Sequence, residues 1–266
     1  MKETPASIKE RQSTYVPNNR EIFDVALLAG MILTSSGAET YRVEDTVERI
    51  LRLTDQQSVD VVSLLTSLSV SVTYSDHTIY SATRRIKSRS LDLYKIQQTN
   101  EISRHLAQGT MSIEDAYVAL LLLSKEKRKI SFSKLMIFPL SWGFCMMGNG
   151  TILECFLSGL AASSMNLVDL VLPKNSNSTF TASFFKTVLT SLILVIFTKL
   201  IPGIHMDPMI LGSLILLFPG TTLTNGVRDI VKGDYITGAG NLLSAFATAM
   251  ALAFGMGLAL FMASLV

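Results

Sequence analysis

Apolar residues follow two rhythms along this chain. From Phe23 to Leu33 they are nearly continuous, but about eleven residues cannot cross a bilayer, which takes about 20. The run predicts a buried core helix starting near Arg20 and ending near Gly37. Val43, Val47, Ile50 and Leu51 recur at helical spacing and predict a second helix over about 38–53. Asp45–Arg49 and Glu48–Arg52 are i,i+4 ion pairs on its wet face. The period then falls to two: Leu68, Val70, Val72 and Tyr74 alternate with Ser69, Ser71 and Thr73, a half-buried strand. Ser75-Asp76-His77 makes a turn, Thr78 to Ile86 returns as a strand, and Ser58 to Leu64 adds a third. Leu91 to Gln108 reads as a helix stopped by Gly109. Ser112 caps the next helix, with Glu114 and Asp115 in its first turn, where the helix dipole favours negative charge.

Beyond Lys134 the apolar runs lengthen. Five spans are expected, at about 135–148, 151–172, 181–201, 208–225 and 236–265, with turns at Asn149-Gly150 and at Lys174 to Asn177. The expected architecture is an α+β domain over residues 20–130, preceded by a polar tail at 1–19 and followed by an all-α membrane bundle over 131–266. Ala245, Ala249, Ala253 and Gly257 stand four apart and predict a close helix–helix stripe, and with it an oligomer.

Charge orients this picture. Of 23 Lys and Arg residues, 18 lie at or before Lys134. The run Lys125, Lys127, Arg128, Lys129 and Lys134 directly precedes the first apolar stretch, which places the N-terminal domain in the cytoplasm and, with five spans, Val266 outside. The start MKETPASIKERQS lacks the apolar core of a signal peptide, so the first span is expected to direct insertion. A net charge of +2 offers no clustered basic surface for a nucleic acid. Cys145 and Cys155 form no CxxC pair and read as buried thiols; no histidine has metal-ligand spacing, so neither metal nor cofactor is expected.

Candidate chemistry lies in polar groups placed within spans, where burial is costly: Glu154, Asn166, Asp169, His205, Asp207, Thr221, Thr222, Thr224 and Asn225. The densest segment runs from Phe218 to Asn241. Pro219-Gly220 breaks a helix inside the membrane, and broken helices recur at transporter binding sites. Asn225, Arg228, Asp229 and Asp234 follow. Arg228 is the one arginine after Lys134, a bidentate carboxylate binder; Asp229 is expected to hold it or to compete with substrate for it. With no P-loop and no GxSxG elbow, no catalytic residue is assigned, and secondary transport is favoured over ATP-driven transport. Ser36, Glu39 and His77 could be assembled into a nucleophile and base in the soluble half, though no local geometry demands it, which leaves a membrane-anchored hydrolase, or a regulatory or scaffold subunit, as alternatives.

Two segments carry a resemblance. SGAETYRVEDTVERI (36–50) resembles the N-terminal motif of the threonine/serine exporter (ThrE) family, through Gly37, Glu39, Thr40, Arg42 and Glu44. PGTTLTNGVRDIVKGDYITG (219–238) resembles its membrane motif, through Pro219, Gly220, Asn225, Arg228, Asp229, Gly233, Asp234 and Gly238. The resemblance implies export of small polar metabolites, threonine- and serine-like amino acids or small dicarboxylates, across the cytoplasmic (inner) membrane. The length is similar to that of the long subunit of the split form, which implies a short membrane subunit as partner.

Overall fold

A computed structural model describes residues 19–126, 134–172 and 179–265, and the chain divides into two units, Met1–Glu126 and Lys127–Val266. The polar tail, most of the basic run at 125–134 and the turn at 174–177 lie outside the described residues.

The first unit comprises four helices and a three-stranded sheet, α1 (Asn19–Ser35), α2 (Thr40–Leu51), β1 (Gln56–Ser63), β2 (Ser67–Tyr74), β3 (Ile79–Arg85), α3 (Leu93–Ala107) and α4 (Ile113–Lys125), with α1 and α2 on the sheet and α3 and α4 packed on α1. A helix apolar on every side must be enclosed on every side. α1 is such a helix: Ile22, Phe23, Val25, Ala26, Leu27, Ala29, Ile32 and Leu33 are all buried, and it packs on α2, α3, α4 and the sheet. The sheet is antiparallel in the order β1-β2-β3, with Val72 opposite both Val59 and Tyr80. Its alternation sends Leu68, Val70, Val72 and Tyr74 into the core, as the period of two requires. Ser112 accepts a bond from Asp115 N at 3.1 Å, the expected cap, and both expected ion pairs of α2 form.

The second unit is helical: α5 (Ile137–Met147), α6 (Ile152–Ser163), α7 (Met165–Val171), α8 (Thr179–Leu200), α9 (Met206–Leu214) with a 3-10 turn (Ile215–Leu217), α10 (Gly220–Val231) and α11 (Tyr235–Ser264). Among the described residues, two helices are long and apolar enough to span a membrane: α8, with 22 residues, and α11, with 30. A third span arises if α9 and α10, bent by 59° at their junction, count as one. The five-span expectation is therefore modified. α5 has 11 residues, short of a full crossing. The second expected span is interrupted at Ser164, whose hydroxyl bonds Ala161 O at 2.6 Å. The fourth is broken at Phe218–Pro219, and its helix then runs on to Val231, past the expected end near residue 225.

This unit buries its polar residues. On α8 the buried face carries Ser183, Thr187, Thr190 and Ser191, while Phe185, Ile196 and Leu200 are exposed. Between α5, α6 and α9, Ser141 and Ser158 lie 2.9 Å apart, and Ser158 donates to Met209 O at 3.0 Å. Cys145 and Cys155 are both buried in this cluster. Helices in lipid gain nothing from burying more apolar surface, so they meet through small and hydroxyl residues. Within this chain the four-residue stripe on α11 does this only in part, at Ala245. Its buried line is Ala245, Thr248, Ala251, Gly255 and Ala259, while Ala253 and Gly257 are exposed. A spacing of four drifts by about 40° per step around a 3.6-residue helix and leaves the contact face.

α8 and α11 run in the same direction, because a Cβ on Gly255 would lie 2.9 Å from Phe184 O while Lys199 Nζ donates to Ala263 O at 2.8 Å. With that register, the first dozen or so residues of α11, roughly 18 Å, reach beyond the start of α8. α10 packs along this extension.

Candidate functional site

The break that creates α10 follows from local chemistry. Proline cannot donate a backbone bond and disfavours helical geometry in the residue before it. Phe218 accordingly takes an extended conformation (φ −66°, ψ 131°) and Pro219 becomes the N-cap of α10. Leu223 N then donates to Pro219 O at 2.9 Å, and the new helix leaves at 59°.

α10 presents unlike faces. Gly226 and Asp229 are buried. Leu223, Val227 and Val231 form one exposed apolar line, and Thr221, Thr224, Arg228 and Lys232 a second, polar one. Asn225 is half-buried, between the polar line and the buried face. The buried face crosses α11 almost backbone to backbone. A Cβ added to Gly238 would stand 2.6 Å from Ile230 Cγ1 and 2.9 Å from Gly226 O. Gly238 therefore serves close approach, and Gly226 opposite it does the same.

Asp229 sits at this crossing, 1% exposed, and its Oδ2 accepts a bond from Asn241 Nδ2 at 2.9 Å. One helical step separates Asp229 from Arg228: the Asp229 carboxylate meets Asn241 on α11, while Arg228 lies on the exposed side. Asn241, together with the buried Thr237, is the part that reading the motif missed. Both lie within or just past the motif, one turn apart on α11, a spacing that could have marked them. Asp234 closes the hairpin: its N donates to Asp229 O at 2.9 Å, its O accepts from Gly238 N at 2.9 Å, and Gly233 before it has φ +94°. Pro219 and Gly220 thus shape the bend, Gly226 and Gly238 the crossing, and Asp229, Asp234 and Asn241 hold the hairpin.

At the opposite end of the second unit, Glu154 is buried in a network of its own. It forms a capping box with Thr151 at the start of α6, and its Oε1 accepts bonds from His205 N at 2.6 Å and from His205 Nδ1 at 3.1 Å. Glu154 thereby ties two helix starts together.

The N-terminal motif surrounds the α1–α2 turn. Gly37 has φ +77°; Ala38 N donates to Leu33 O at 3.1 Å and Gly37 N to Thr34 O at 3.2 Å, a Schellman ending. Glu39 carries a carboxylate at the start of the next helix, where free amides favour one. It occupies the N-cap of α2 but makes no side-chain cap bond, and its carboxylate lies 3.3 Å from Arg42 Nε. Thr40 is buried, and Glu44 accepts a bond from Ser63 N at 3.0 Å, joining α2 to the end of β1. The nucleophile–base assembly does not form. Tyr74, three residues before His77, bonds Asn19 O at the start of α1, whereas Ser36 lies just past the far end of that 17-residue helix, roughly 25 Å away.

Compared with known families, residues 24–263 match the one described as "Putative threonine/serine exporter" (ThrE). The chain belongs to the threonine/serine exporter family. No curated relative and no solved structure matches it. In this exporter, therefore, both resembling segments fall inside the match, and the polar-inside, apolar-outside second unit agrees with a transport protein of the membrane.

Proposed function

We propose that this exporter family member moves small carboxylate-bearing metabolites, threonine- and serine-like amino acids or small dicarboxylates, out of the cytoplasm past the α10 segment. The observation that carries the reading is the 59° break before an amphipathic helix whose exposed polar line holds Arg228. Broken helices position binding groups inside a membrane, and a guanidinium takes a carboxylate through paired bonds. Asn225, half-buried on the same helix, serves a substrate amine or hydroxyl. Asp229 and Asp234 act as positioning residues, with Pro219 and Gly220 setting the bend.

In this reading the second unit makes five passes, α5 being a short first one whose 11 residues do not cross the full thickness by themselves, followed by α6–α7, α8, α9–α10 and α11; the N-terminal unit is cytoplasmic and Val266 external, and a short membrane subunit of the same family completes the transporter. Reporters after Asn19 and after Val266 test the topology; finding both on one side removes it.

Arg228→Lys tests the site, since it keeps the charge and removes the fork. Export should fall at least about tenfold, as expected for losing about 1.4 kcal/mol, while membrane level stays normal. Export at the wild-type rate would leave Arg228 as a surface anchor only.

A further inference from the structure

One ion pair of the second unit belongs to neither network above. Lys186 Nζ, on α8, stands 2.7 Å from Asp169 Oδ1, on α7. Both are set in strongly apolar helices, where charged side chains are costly and mark binding or conduction. Both remain reachable, with side chains 19% and 39% exposed.

Interleaved with them in sequence is a groove. Leu167, Val168 and Val171 from α7 and Phe185, Val188 and Leu189 from α8 are among its lining residues, all of which are apolar, and its volume is about 390 Å³. That falls within the range of small-ligand pockets, about 300–1,000 Å³. Nothing in the groove itself offers a polar group, so a ligand here needs an apolar body. Asp169 directly follows the lining residue Val168 and Lys186 directly follows Phe185, so the pair offers a cation and an anion on the same two helices, and the same ligand needs one of each.

We propose that this is a binding site for a zwitterionic phospholipid with a primary ammonium headgroup. An acyl chain fills the groove, the phosphate lies against Lys186, and the ammonium donates to Asp169. Charge complementarity selects this occupant. A purely anionic headgroup would meet the Asp169 carboxylate with nothing to satisfy it. A choline headgroup carries the positive charge but no N–H to donate. An ethanolamine headgroup supplies both phosphate and N–H donors, and charge-assisted bonds of this kind are the strong ones.

The full chain, purified in mild detergent and stripped of lipid, is offered phosphatidylethanolamine, its N-monomethyl and N,N-dimethyl derivatives, phosphatidylcholine and phosphatidylglycerol with identical acyl chains. Retained lipid is read by native mass spectrometry. Retention should fall with each methylation and drop at least about fivefold on reaching the choline headgroup, where the last N–H is lost. Leu189→Trp, which fills the groove and leaves both charges, should abolish the preference. Asp169→Asn should reduce ethanolamine lipid to the choline level. Equal retention of the ethanolamine and choline lipids by the wild-type chain overturns the proposal without any variant. Preference for phosphatidylglycerol overturns it in favour of simple cation attraction. An unchanged preference in Leu189→Trp overturns the groove's part.

Discussion

Asn241 donates to Asp229 across the α10–α11 crossing at 2.9 Å, and Asp229 is 1% exposed there. A carboxylate so deeply placed depends on its donors, because leaving a buried charge without them costs several kcal/mol. Asn241→Ala should lower the stability of the purified protein by about 2–3 kcal/mol. The exchange Asp229→Asn with Asn241→Asp keeps one donor and one acceptor facing each other. A thermal-unfolding cycle over both sites should therefore show coupling of about 1 kcal/mol or more. Strict additivity would mean that the bond contributes nothing.

Two glycines of α11 make opposite expectations. At Gly238 a methyl group would meet Ile230 Cγ1 at 2.6 Å and backbone atoms at 2.9 Å; at Gly257 it would meet nothing within 4 Å. Gly238→Ala should push α10 from α11, at a cost of about 1–3 kcal/mol, and reduce export. Gly257→Ala should leave the isolated chain unchanged or slightly more stable. Equal melting temperatures for the two variants would contradict the crossing.

Gly37 tests the first unit. Its φ is +77°, and a methyl group there would meet only ordinary contacts, the nearest 3.6 Å away at Leu91, so backbone strain is what penalises a side chain. Gly37→Val should cost about 1 kcal/mol or more, and Gly37→Asn clearly less, since asparagine tolerates a left-handed backbone. Chemical denaturation of a fragment carrying residues 1–126, whose core lies wholly within it, reads both.

Tyr74 supplies a pH test. Its hydroxyl donates to Asn19 O at 3.1 Å, and burial raises its pKa above the ordinary 10.0. Unfolding lets the phenol ionise at the ordinary value. Its share of stability is therefore complete below pH 10.0 and disappears as pH climbs through the raised folded value. Tyr74→Phe should cost about 1 kcal/mol near neutrality and flatten this alkaline limb in a pH series of melts of the same fragment. A wild-type alkaline limb in the variant would assign the loss to other groups.

The linear chain determined what depends on near neighbours. The continuous apolar run of α1 required enclosure, the alternation from Leu68 to Tyr74 fixed a one-sided strand, Gly37 and Ser112 marked helix ends, and Pro219 marked the break. Each is a consequence of backbone geometry or of a period of 2 or 3.6, visible within a few residues. The tertiary structure alone decided which faces meet. Asp229 and Arg228 are adjacent in sequence, yet one helical step of about 100° sends the carboxylate toward Asn241 and leaves the arginine on the exposed side. Gly257 is as small as Gly255, but only Gly255 lies against α8. In a membrane, hydrophobicity does not distinguish the inside of a bundle from the lipid around it, so the apolar pattern that placed the core of the first unit could not place that of the second.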